Sequence, residues 1–199
     1  ILDGHPQHNN AYSNEGPGTS FAAPQVAAAA ALVKDQFPSL SAIQIMERVR
    51  VTSDDIYDVG NNVLYDGKLG KGRLNVFRAV SQSNVKSLRV TNPSLLSTHG
   101  DIAFFGDTIQ IQATLTNHLA AVNNPFINIY APDDNFDSNI SSIQPGFITS
   151  QDSKEISFEI VLAENLVPQS SVSIRLDFKD LSYTDFQFLD FVTAPDYVD

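Results

Sequence analysis

The residues with the clearest chemical potential form one segment, Gly18–Pro24, which reads Gly-Thr-Ser-Phe-Ala-Ala-Pro. A glycine turn here would deliver the hydroxyl of Ser20 to the start of a helix, where backbone N–H groups have no intrahelical partner. Those donors and the positive end of the helix dipole suit a site at which negative charge develops on an oxygen. The segment therefore indicates a reactive serine, although a bare Gly-Thr-Ser is also typical of an ordinary helix N-cap.

The helix that would position this serine is rich in alanine. Its pattern predicts a helix over Gln25–Phe37 that ends before Pro38, because proline lacks the N–H that a helix interior needs. The run Val26–Val33 is apolar on every side, so we expect a buried core helix and not an amphipathic surface helix.

Two further helices are predicted before residue 84. Ser41-x-x-Gln44 is a capping-box pattern, and Asn75 can cap a short helix over residues 76–80. The apolar face expected for the second helix consists of Ala42, Ile45, Met46 and Val49.

From about residue 84 onward, apolar residues alternate with polar ones, which is the period of a half-buried strand. Short alternating runs separated by turn residues over some 115 residues predict an antiparallel β-sandwich of the immunoglobulin or fibronectin kind. The three clearest runs are Ile109, Ile111, Ala113 and Leu115; Ile156, Phe158, Ile160 and Leu162; and Val172, Ile174, Leu176 and Phe178.

Composition divides the chain at the same place and excludes several functions. Residues 1–82 carry 7 basic and 8 acidic side chains, whereas residues 83–199 carry 5 and 15. The net charge of −11 argues against a nucleic-acid partner, which requires a basic face. No apolar run approaches the length of a membrane span, and the lack of cysteine excludes disulfides, thiol nucleophiles and Cys-ligated zinc.

Four segments resemble the subtilisin-like serine peptidases, or subtilases. Gly18–Pro24 fits all seven positions of that family's nucleophile motif, and Gln25–Ala27 resembles the His-Val-Ala that usually follows, with Gln in place of His. Pro38–Gln44 is similar to the start of the family's next helix, and Gly70–Val76 resembles the stretch that closes its catalytic domain. The resemblance covers roughly residues 11–82, in order and at sensible spacing.

The resemblance implies that Ser20 is the nucleophile that attacks a peptide carbonyl, with its proton taken by a histidine that an aspartate orients. It also implies that the backbone N–H of Ser20 is one oxyanion-hole donor and that an upstream Asn side chain is the other. Proteins or peptides would be the substrates, the enzyme would be secreted or at the cell surface, and no cofactor is implied.

The partners of Ser20 are not evident in this sequence. Subtilases carry Asp, then His, then Ser in chain order, and Asp3, His5 and His8 lack the motifs that surround the family's catalytic Asp and His. Because the chain opens without Met or a signal-peptide pattern, we expect an upstream region that supplies Asp, His and Asn, and we expect these 199 residues alone to be inactive. The alternative is a non-catalytic binding or adhesion module with a degenerate subtilase remnant.

Several other motifs have plainer explanations. His5 and His8 lack further metal ligands, and Gly67–Gly72 does not fit the phosphate-binding consensus, so a loop and a turn are expected. Asp133–Asn139 resembles a calcium loop but lacks its glycine and bidentate glutamate, which favours an acidic surface turn and no metal site. Phe186, Phe188 and Phe191 are expected to form strand core.

The sequence thus predicts two parts. Residues 1–83 are expected to be the C-terminal portion of a subtilase catalytic domain, an α/β fold that is mostly helical in this segment. Residues 84–199 are expected to be an all-β accessory sandwich.

Overall fold

The computed structural model describes residues 18–97, 103–130, 136, 141–164 and 169–193. Three α-helices and one 3-10 helix come first, and seven strands follow. The helices are α1 (Thr19–Gln36), α2 (Ala42–Val51), the 3-10 helix (Asn62–Tyr65) and α3 (Val76–Ser81). The strands are β1 (Leu88–Leu96), β2 (Thr108–Asn117), β3 (Phe126–Tyr130), β4 (Ser141–Ile143), β5 (Ser153–Val161), β6 (Ser171–Asp180) and β7 (Tyr183–Val192).

Helix α1 begins six residues earlier than predicted and therefore contains Pro24. Only Ala29 and Val33 of this helix are buried, while Val26 and Leu32 remain 46% and 51% exposed. Within the described residues, α2 and α3 pack against α1 and leave most of it exposed, so the expected burial is seen there only at Ala29 and Val33.

The predicted helix caps are confirmed. The Ser41 hydroxyl accepts a hydrogen bond from the Gln44 backbone, and the Gln44 side chain accepts one from the Ser41 backbone, which completes the capping box. The Asn75 side chain accepts a hydrogen bond from the Arg78 backbone at the start of α3. These local signals succeed because each is satisfied within four residues.

The strands form two antiparallel sheets that pack face to face. One sheet has the order β1-β2-β5, and the other has the order β4-β3-β6-β7. The predicted alternating residues point into a single core that both sheets share, so the three runs named above are confirmed as inward-facing. An all-β sandwich is consistent with this arrangement.

Strand β7 contributes side chains to the free edge of β1. The Gln187 carboxamide accepts a hydrogen bond from the Val90 N–H (3.0 Å) and donates one to the Val90 carbonyl (2.7 Å), as a neighbouring strand would. The Tyr183 hydroxyl accepts a hydrogen bond from the Leu88 N–H at 2.8 Å. Side chains thus connect the two sheets and cover part of an edge that is otherwise open.

The α/β fold class predicted for a mostly helical segment is wrong. Of the described residues, 39% lie in strands and 24% in helices, and both sheets are antiparallel and follow residue 87. Before β1, the described strand pairing is limited to the isolated bridge between Asp54 and Arg73. An α/β layer needs strands on which its helices pack, and within the described residues α1, α2 and α3 pack on one another.

Candidate functional site

Ser20 lies in the first turn of α1, and Gly18 occupies the N-cap position. The backbone of Gly18 has φ +149°, a conformation that favours glycine. A Cβ at this position would lie 3.6 Å from the Ser20 Oγ, an ordinary contact, so the backbone angle and not a lack of space selects glycine here.

The N-terminus of α1 has no side-chain cap, because Gly18 has no side chain to offer. The Phe21 N–H donates to the Gly18 carbonyl at 3.1 Å, and Ser20 itself is exposed. The first turn therefore presents a hydroxyl beside backbone donors that lack side-chain acceptors, which is the arrangement that anion stabilisation requires.

Pro24 alters the hydrogen bonding of the same turn. A residue at this position would normally donate its N–H to the Ser20 carbonyl, four residues earlier, but proline has no N–H. Gln25 donates its side-chain amide to the next carbonyl, that of Phe21, at 3.1 Å. Pro24 thus removes the backbone hydrogen bond that the Ser20 carbonyl would otherwise accept.

No described histidine or carboxylate hydrogen-bonds to Ser20. His118 follows β2, where its backbone N–H donates to the Ser87 carbonyl and its carbonyl accepts from Gln44. Burial lowers the pKa of His118, while the charge of Glu47 acts in the opposite direction. The predicted loop residues Asp3, His5 and His8 and most of the Asp133–Asn139 turn lie outside the described residues, and the described part of the chain holds no group of three metal-ligating side chains.

The loop over residues 54–73 is braced by its own hydrogen bonds. The bridge between Asp54 and Arg73 closes it, and the Tyr57 hydroxyl donates to the Gly70 carbonyl (2.8 Å) and accepts from the Leu69 N–H (3.0 Å). The expectation of a turn in place of a phosphate loop at residues 67–72 agrees with this structure.

The phenylalanines of β7 meet that loop. Phe186 packs edge-on against Tyr57 at 6.2 Å between ring centres, and Phe188 lies close to Gly67. The Arg175 guanidinium lies 4.8 Å from the Phe186 ring. Phe191 is the member of the trio that packs against the core, so the assignment of Phe186 and Phe188 to strand core is wrong.

Sequence reasoning missed the buried charges of α2. Glu47 and Arg48 are each 7% exposed, whereas Met46, which was placed on the apolar face, is 63% exposed and Ala42 is also exposed. The charged pair Glu47 and Arg50, three residues apart on one helix face, was the signal available in the sequence. The strand residues that pair with Glu47 and Arg50 lie far away along the chain, so sequence spacing could not identify them.

The profile of the subtilase family, peptidase S8, matches residues 1–122. Because this match covers more than half of the chain, the protein belongs to the subtilase family, which confirms the resemblance seen in the sequence at the level of the family. The subtilase family is a family of serine peptidases, whose chemistry is the hydrolysis of peptide bonds.

Other comparisons add little. Among curated proteins, none matches this chain. A solved structure that resembles it in part is the beta-glucosidase from Listeria innocua in complex with glucose, at 13% identity and a TM-score of 0.29. The match covers 82% of this chain but only 23% of that enzyme, and a likeness this weak carries no argument about either fold or activity.

Each helix in the described ranges falls short of the length and apolar character that crossing a bilayer demands.

Proposed function

We propose that this chain is the C-terminal part of a serine endopeptidase in which Ser20 is the catalytic nucleophile. The observation that carries the proposal is the exposed hydroxyl of Ser20 in the first, uncapped turn of α1, within the matched family region. The Ser20 side chain would attack the carbonyl carbon of a peptide bond and form an acyl-enzyme that water then hydrolyses.

The geometry of the α1 N-terminus supports a second role for the same residue. The backbone N–H of Ser20 points out of a helix start that lacks a side-chain cap, so it would donate to the oxyanion of the tetrahedral intermediate. An Asn side chain from upstream of the described residues would be the second donor.

The remaining catalytic groups would come from an upstream region of the protein. No base in the described residues contacts Ser20, and Asp3, His5 and His8 lack the motifs of the family's catalytic Asp and His. These 199 residues alone are therefore proposed to be inactive, and an upstream Asp and His would complete the triad. The exposed apolar side chains of α1 support such a covering region, because a helix of this composition is normally buried.

The change from helices to strands along the chain supports two parts with different roles. Residues 1–83 would be the closing portion of the catalytic domain, and residues 84–199 would be an accessory sandwich. Substrates would be proteins or peptides, and the enzyme would act outside the cell.

Labelling with a fluorophosphonate probe tests the proposal, because this reagent reacts with activated serine hydroxyls. The full-length protein, including its upstream region, should be labelled, and Ser20→Ala should abolish the label. Ser83→Ala is the matched control, since Ser83 is another exposed serine outside the helix start, and it should label as the wild type does.

The alternative function is a non-catalytic binding or adhesion module. A full-length protein that folds but is not labelled, or one whose label survives Ser20→Ala, would contradict the peptidase proposal. The first of those results would favour the binding module.

A further inference from the structure

Helix α2 buries charged side chains on two sides. Glu47 and Arg48 are almost fully buried, and the Arg50 side chain is 22% exposed. Charged groups rarely leave water unless partners compensate the loss of hydration, so the contacts of these three residues determine what α2 holds together.

Toward the sandwich, five side chains of alternating charge form a continuous series, the interface ion-pair chain: Lys71, Asp185, Arg50, Glu47 and Arg89. Arg50 donates to both carboxylate oxygens of Asp185, at 2.8 and 2.5 Å, and to Glu47 at 2.7 Å. Arg89 lies 3.2 Å from the other Glu47 oxygen, and Lys71 lies 3.8 Å from Asp185. The series therefore runs from the loop before α3, through β7 and α2, to β1.

Two hydroxyl groups complete the hydrogen bonding of these carboxylates. Ser87 donates to Glu47 at 2.5 Å, and Tyr183 donates to Asp185 at 3.2 Å. The Asp185 side chain is fully buried. Burial alone would lower the pKa of Arg50, but hydrogen bonds and charge from Asp185 and Glu47 raise this pKa above its usual value.

On its other side, α2 holds the remaining helices through Arg48. This guanidinium donates to the Ala79 carbonyl at 2.6 Å and to the Gln82 carbonyl at 2.5 Å, at the end of α3. It also lies 4.1 Å from the centre of the Phe37 ring, at the end of α1. Helix α2 thus connects the end of α1 to the sandwich: Arg48 contacts Phe37 on one side, and Arg50 and Glu47 contact β7 and β1 on the other.

We propose that the interface ion-pair chain makes the sandwich a structural support for the helices, so that both parts open and close as one cooperative unit. An accessory domain on a flexible linker would share few buried contacts with its neighbour. If the helices moved away, Asp185 would lose its ion pairs with Arg50 and Lys71, and Glu47 would lose its ion pair with Arg89. This inference does not require Ser20 to be catalytic.

Amide hydrogen exchange on the full chain tests this inference. In the wild type, the most protected amides of α2 should open with a free energy close to that of β2 and β5. In Asp185→Asn, which removes the charge from the partner of Arg50, the amides of α2 and α3 should exchange at least about tenfold faster. Those of β2 and β5, which are distant from β7 in the other sheet, should accelerate by a similar factor, because the two parts open together.

Asp190→Asn is the matched control, since Asp190 is an exposed carboxylate on the same strand that accepts a hydrogen bond from Ser173. It should leave exchange in α2 and α3 unchanged. Glu47→Gln provides the decisive measurement, because Glu47 lies on the helix side of the interface. In this variant too, the amides of β2 and β5 should exchange faster together with those of α2 and α3.

A Glu47→Gln variant that exchanges faster in the helices alone, or one that exchanges as the wild type does, would overturn the proposal. A wild type in which α2 already opens far more easily than β2 would overturn it too. A parallel loss of protection in the helices and in β2 and β5 would support it.

Discussion

Gly70 and Gly72 lie two residues apart in the same loop, but their surroundings differ. A Cβ on Gly72 would overlap the carbonyl oxygen of Asp54, whereas a Cβ on Gly70 would meet nothing within 4 Å. Both residues have positive φ, at +121° and +60°. At the residue scale, Gly70 therefore tests the effect of the backbone angle alone, whereas Gly72 combines an unfavourable angle with a lack of space.

We expect Gly72→Ala to destabilise the protein by about 1–3 kcal/mol more than Gly70→Ala, because overlap with backbone cannot be relieved by a rotamer change. Gly70→Ala should cost about 1–2 kcal/mol, which is the usual penalty for a non-glycine residue in the left-handed region. Urea unfolding midpoints of the two variants measure the difference. Equal midpoints would show that the loop shifts freely and that the bridge between Asp54 and Arg73 is not rigid.

At the scale of the element, local signals were predictable and distant partners were not. The capping box of Ser41 and Gln44 and the two-residue period of β2, β5 and β6 depend on neighbours within a few residues, so the sequence contains the whole signal. The buried face of α2 was misassigned because its burial depends on β1 and β7, whose contacts with Glu47 and Arg50 span 42 and 135 residues. The reactive position of Ser20 was visible in its motif, but its triad partners were not.

The titratable groups on α2 and beside it also determine how acid affects the stability of the fold. Burial lowers the pKa of His118 in the folded protein, so the folded state binds fewer protons and loses stability as the pH falls below the usual histidine value of 6.5. Burial alone would raise the pKa of Glu47, but hydrogen bonds and charge from Arg50, a hydrogen bond from Ser87 and the charge of Arg89 lower it. Glu47 thus contributes stability above its usual pKa of 4.5, which is lost as the pH falls through its lower folded value.

Urea midpoints measured from pH 7 to pH 3 should therefore decline in two stages, first from His118 and then from Glu47. His118→Gln should remove the decline that begins near pH 6.5, and Glu47→Gln should lower stability at pH 7 and reduce the decline below pH 4.5. Midpoints that stay constant down to pH 4, or variants with wild-type pH profiles, would contradict the role assigned to these two groups.

At the scale of the whole molecule, the two hydrophobic clusters are very unequal. Among the described residues, the sandwich core contains twenty buried apolar residues and the helical cluster contains five. The predicted fold class is wrong at this scale because the family resemblance of the first 83 residues implies a sheet among the helices. The described helices instead pack on one another and reach the sandwich through polar contacts of α2. The unequal clusters mean that the helices depend on their surroundings for stability.

We therefore expect residues 1–83, expressed alone, to lack a stable fold. Their buried apolar residues in the described range are Ala29, Val33, Ile45, Val49 and Ala79, too small a set to offset the chain entropy of the segment. Glu47 and Arg50 would also lose the sandwich partners that neutralise and hydrogen-bond them. Circular dichroism should show a gradual thermal change without a sigmoidal transition. Residues 84–199 alone should unfold cooperatively, because their shared core is retained, but at a lower temperature than the full chain, because they lose their ion pairs with α2. A cooperative transition in residues 1–83 would show that the helices need neither the sandwich nor an upstream region, and an unfolded 84–199 would place the boundary between the two parts elsewhere.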